Sequence, residues 1–140
     1  MKRSVRVELF GTCLTGALLC LACTTLRTGV AFTPHADAPE LTTRPDGCYV
    51  EVLELGREPR RRYLAVGTLQ LRVSDEDLRF PAVSVADRFR KAGCEYGVFL
   101  VKDIKAFPDP GRGVVEYSAT AALWLDDQGI PIVVPTGAAQ

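Results

Sequence analysis

The chain has 140 residues, with 17 basic and 17 acidic side chains and a 47% hydrophobic fraction, the size and composition of one ordinary globular domain. Lys2, Arg3 and Arg6 crowd the N-terminus against Glu8 alone, so residues 23–140 hold 14 basic and 16 acidic groups, a net charge of −2. That balance excludes the strongly basic surface by which nucleic-acid binding shows itself.

In chain order, a basic stretch from Met1 to Arg6 is followed by an apolar run of 14 residues from Leu9 to Ala22 and then Cys23, the three-part layout of an export signal. The run is too short for a hydrocarbon core that needs about 20 helical residues, and Gly11, Thr12, Thr15 and Gly16 dilute it. Leu19-Cys20-Leu21-Ala22-Cys23 resembles the lipobox of bacterial lipoproteins. That resemblance implies removal of residues 1–22, acylation of Cys23 and attachment to a membrane through it. Ordinary secretion with cleavage after Ala22 is the alternative. With Cys13 and Cys20 discarded and Cys23 acylated, Cys48 and Cys94 remain as an even pair. If joined, they close a 46-residue loop, worth roughly 4 kcal/mol in the chain-entropy model. The alternative is two buried thiols. Zinc is disfavoured, because there is no CxxC and the only histidine is His35.

Residues 24–47 carry Pro34, Pro39 and Pro45 among small polar residues, which reads as a flexible tether between the lipidated cysteine and the domain. The domain is expected over 48–135, with 136–140 a disordered tail. Cys48 to Leu55 alternates as a first strand, and Tyr63 to Val73 as a second with Tyr63, Ala65, Gly67, Leu69, Leu71 and Val73 on one face. Between them lies the charged connection Gly56 to Arg62. After the acidic loop Asp75-Glu76-Asp77, Pro81 suits a first helical position. Ala82, Val85, Ala86, Phe89 and Gly93 then follow helical spacing, with Ser84 as the cap and Gly97 as the left-handed stop. Val98 to Val101, apolar on both faces, predicts an interior strand running towards Ile104. Breakers at Pro108 to Gly113 form a hairpin turn into a long strand from Val114 to Leu125, and Ile130 to Val134 is a candidate edge strand. The expected fold is α+β: two layers, one helix on a mainly antiparallel sheet of four or five strands, in the order β-β-α-β-β.

Four short motifs bear on family: Cys48-Tyr49-Val50-Glu51-Val52, Tyr63-x-x-Val66-Gly67, Ala92-Gly93-Cys94 to Gly97, and Glu116-Tyr117-Ser118-Ala119-Thr120-Ala121. Together with the lipobox-like segment they resemble small bacterial envelope lipoproteins related to the RcsF outer-membrane stress sensor. The resemblance covers roughly residues 48–125 and lies at the level of fold. It implies a lipid-anchored domain, often with a disulfide tying strand to helix, whose sensing member works by protein contacts. The chain departs from that sensor in having one candidate disulfide where the sensor has two.

Candidate chemistry is sparse. Beyond residue 48 there is no histidine, and Ser74, Ser84 and Ser118 lack a GxSxG or SxxK setting. Glu51 and Glu54, three apart on a strand, point to opposite faces. Asp75-Glu76-Asp77 lacks the spacing of a calcium loop, and Gly111-Arg112-Gly113 that of a phosphate loop. Arg57, Arg60, Arg61 and Arg62 are the candidate contact for an anion or a partner, against the simpler reading of a solubilising loop. Trp124, Phe99, Phe107 and Tyr117 read as core or edge packing, with a small binding surface as the alternative. The expected function is a non-enzymatic interaction or sensing module without cofactor or metal, facing the periplasm, with the outer membrane favoured by Thr24 after Cys23. Another envelope protein is the candidate partner. A small-ligand or metal-binding envelope domain is the alternative.

Overall fold

A computed structural model describes residues 29–74, 76–77 and 84–134. The export segment, Cys23, Asp75, Pro81, Ala82 and the tail 136–140 lie outside the described residues. The elements described in full follow in the order β1 (Val30–Pro34), β2 (Glu51–Val52), β3 (Tyr63–Ser74), α1 (Val85–Tyr96), β4 (Leu100–Asp109) and β5 (Val114–Trp124). The sheet order is β1-β3-β5-β4-β2. All pairings are antiparallel except β2 with β4. The expected two-layer α+β fold, with one helix on a mostly antiparallel sheet, is the one observed. β2, β3, α1, β4 and β5 give the order β-β-α-β-β, and β1 precedes them.

The long strands form where apolar residues alternate, and the alternation sets which face is buried. Leu69, Leu71 and Val73 of β3 stand opposite Ala119, Tyr117 and Val115 of β5. Leu69, Leu71, Val73, Ala119 and Tyr117, with Val101 of β4 and Phe89 and Ala92 of α1, build the main core. The single face expected from Tyr63 to Val73 is broken by a bulge between Ala65 and Gly67. The extra residue sends Val66 into the core and puts Tyr63 and Ala65 on the other face, against Trp124 and Ala122.

α1 starts where expected: the Ser84 hydroxyl accepts from the Asp87 N–H at 3.1 Å, satisfying one of the donors a first turn leaves open. It ends at Gly97, with φ +75°, where the N–H groups of Gly97 and Val98 bond back to the carbonyls of Cys94 and Gly93. A side chain at Gly97 is excluded twice over, since its Cβ would also lie 2.2 Å from the carbonyl oxygen of Thr42.

That close approach exposes the main correction. The stretch read as a flexible tether belongs to the fold from Val30 onward. β1 pairs with β3 from Val30↔Leu71 to Pro34↔Gly67, with Val30 buried and Phe32 packed on the core. Residues 35–50 then form a strap across the end of α1, joining the two opposite edges of the sheet. Ala38 and Leu41 pack on the core, the Arg44 N–H donates to Cys94 O at 2.8 Å, and the Arg44 guanidinium donates to Val98 O at 2.9 Å and Tyr49 O at 2.8 Å. It lies 3.9 Å over the Phe99 ring, and this partial burial pulls its pKa below the usual arginine range. A proline-rich composition resembles a linker, but here buried apolar and guanidinium contacts offset the ordering cost of the strap.

Two smaller corrections concern the other ends of the domain. The expected first strand, Cys48–Leu55, shortens to Glu51–Val52, which pairs with Leu100 and Val101 of β4 and is flanked by the bonds from Glu51 N to Phe99 O and from Leu53 N to Val101 O. Ile130–Val134 makes a single bridge, Leu125↔Pro131. Pro131 has no N–H to extend it, and the sheet's fifth strand is β1. Among the described residues, no helix is long and apolar enough to cross a membrane.

Candidate functional site

The face of the sheet away from α1 is covered at one end only, where Leu100, Ala122 and Trp124 pack with Leu53, Tyr63 and Ile132. Lys102 lies next in line on that face, opposite Thr120 of β5. Its side chain is 4% exposed, which would be costly without partners. Partners are supplied from the charged connection and from β3. The ammonium donates to the Tyr63 hydroxyl at 2.8 Å and to both Glu58 carboxylate oxygens at 3.2 and 3.1 Å. The Asp103 carboxylate is 3.6 Å away. The Tyr63 hydroxyl, then Glu58 and Asp103, hold the ammonium above the ordinary lysine range, outweighing the opposing effect of burial. The amine is therefore a fixed cation, unsuited to act as a nucleophile or base near neutral pH. Asp103 has φ +54° at the irregularity between Lys102 and Lys105. The local bend lets Ile104 return to the core side.

The four arginines expected to act together divide into two kinds. Arg61 stacks over Trp124 at 5.1 Å, and Arg62 lines a 410 Å³ depression with Leu125, Asp126, Asp127 and Ile132. All four are exposed. Arg61 and Arg62 are thus engaged with the domain's own surface, leaving Arg57 and Arg60 as the outward-facing pair. The loop is not a uniform basic patch, because Glu54, Glu58, Asp126 and Asp127 lie in the same region.

Cys48 and Cys94, the second pair singled out in the sequence, are joined in a disulfide with a Cα–Cα distance of 5.9 Å. The bond fastens the strap to the last turn of α1 and leaves neither thiol to ligate a metal. Of the four aromatic residues weighed as a surface, Trp124 is 5% exposed, and Phe99 and Tyr117 pack on the core. Phe107 is the exception, at 54% exposed. Lys102, Tyr63 and Glu58 escaped sequence reasoning as a group, for they lie 39 and 44 residues apart. The only local signal was a lone lysine following the apolar run Val98 to Val101.

Beyond Lys102 the same sheet face is polar and open. Thr68, Gln70 and Arg72 of β3 stand opposite Thr120, Ser118 and Glu116 of β5. Near the β4–β5 turn, Gly29, Gln70, Arg72, Phe107, Glu116 and Ser118 line a depression of about 550 Å³. No group of three or more metal-ligating side chains occurs among the described residues. No protein-family model, curated protein or solved structure matches the chain.

Proposed function

We propose that the chain is a non-enzymatic, lipid-anchored envelope protein, cut before Cys23, acylated there, and serving as an interaction or sensing module in the periplasm. The observation that carries this reading is the Cys48–Cys94 disulfide. Such bonds persist in oxidising compartments and are rare where thiols are kept reduced, in agreement with the export layout and the Leu19-Cys20-Leu21-Ala22-Cys23 segment. The fixed charge of Lys102 supports a structural role for the buried titratable cluster. A protein partner would meet the outward-facing Arg57 and Arg60, whose guanidinium groups suit carboxylates. The sensing role rests on the likeness to stress-sensor lipoproteins, and the outer membrane on Thr24.

Intact mass and membrane fractionation test the anchor. The protein purified from its native membrane should weigh as residues 23–140 plus acyl groups, and Cys23→Ser should move it out of the salt-washed membrane fraction. An unmodified Cys23 in the mature protein would remove this reading.

A further inference from the structure

We infer that the end of the sheet bearing Phe107, Arg72 and Lys105 rests on the phospholipid headgroups of the membrane that holds Cys23. The inference builds on the lipid-anchor reading and adds which surface meets the lipid.

The length of chain between anchor and fold supplies the first argument. With β1 starting at Val30, only five residues lie between Cys23 and Gly29, and the six steps from one to the other span at most about 20 Å when fully extended. The domain is therefore held close to the bilayer by one particular point.

The register shows what surrounds that point. Val30 is opposite Leu71, so Gly29 lies level with Arg72. Arg72 in turn stands opposite Glu116, and Glu116 opposite Phe107. One row across the sheet thus carries the incoming chain, a cation, an acid and an exposed aromatic ring, and the depression of about 550 Å³ runs along it. Lys105, opposite Ser118 in the next row, adds a second exposed cation.

An aromatic ring flanked by cationic side chains suits the interfacial layer. The ring sits at headgroup depth while guanidinium and ammonium reach phosphate. Arg72 and Lys105 are the cations beside the ring, while Glu116, Asp109, Glu76 and Asp77 are acids of the same end, so the contact is made by local pairing of these two cations with phosphate and not by net charge. Arg61 and Arg62 lie at the opposite end, beside Trp124 and Leu125, since β5 runs eight residues from Glu116 to Trp124, about 27 Å at strand spacing. That end faces away from the lipid and towards a partner.

Depth-dependent quenching of tryptophan by spin-labelled lipid tests this with the acylated full chain, in vesicles of phosphatidylethanolamine and phosphatidylglycerol. Trp124, near the arginine end and buried, is a built-in reference. Phe107→Trp should add emission that headgroup-level label quenches at least twofold. Ile130→Trp, exposed beyond Trp124 at the far end, should add emission that the label leaves unchanged. Absent quenching at position 107, equal quenching at both positions, or stronger quenching at position 130 would each overturn the inference while leaving the anchor in place. An intact mass without acyl groups on the same sample would overturn the anchor reading and this inference with it.

Discussion

Lys102 keeps its charge in the folded protein because Tyr63, Glu58 and Asp103 favour the ammonium, and this fixes the sign of its effect on stability. A lysine whose pKa is raised by folding contributes stabilisation that is complete below the unfolded value of about 10.4 and is lost as pH climbs through the folded value. Tyr96 acts in the same direction. Burial, then Glu95, raises its pKa, so the neutral phenol that donates to Val30 O at 2.7 Å is favoured until alkaline pH. Urea midpoints should therefore be flat near neutrality and fall above about pH 10, with a shallower fall in Lys102→Met. An equally steep fall in that variant would assign the effect to the tyrosines alone. Within the cluster, the exposed Glu58 partner is screened by solvent. Glu58→Gln should cost less than about 0.5 kcal/mol, whereas Tyr63→Phe should cost about 1 kcal/mol through the lost hydrogen bond. The reverse ranking in urea unfolding would place the anchoring contact at Glu58.

At the scale of elements, β3, α1, β4 and β5 were legible because each is long enough to show its period and is punctuated by residues with one clear role, such as Ser84 and Gly97. β1 was not. Val30 and Phe32 show alternation over only five residues, and Pro34, Pro39 and Pro45 signal coil by composition while the contacts that order them are remote in sequence. The opposite error at Cys48–Leu55 has a related cause. Alternation marks extended backbone, but the bonds that make a strand depend on how long β4 stays alongside. Of the candidate site, Cys48, Cys94 and the arginines could be picked out, while the division of labour among the arginines and the Lys102 cluster required the folded register. The strap makes the disulfide a test of element stability. Reduction, or Cys94→Ala, should cost roughly 4 kcal/mol and accelerate amide exchange over residues 38–50 well before the β3–β5 ladder opens. Unchanged exchange there would mean that Arg44 alone holds the strap.

For the molecule as a whole, the fold separates two ends with different chemistry: Phe107, Arg72 and Glu116 beside the incoming chain, and Arg61 and Arg62 with Trp124 at the other. The strap that connects the sheet's two edges also sets how the domain responds to load. Tension applied through Gly29 falls first on β1, the outermost strand on its side, and next on residues 35–47. It then meets Cys48, covalently held to Cys94 on the helix. Peeling thus releases residues 29–47, about 65 Å of extended chain, and halts at a covalent stop with the β3–β5–β4 sheet and its helix still packed.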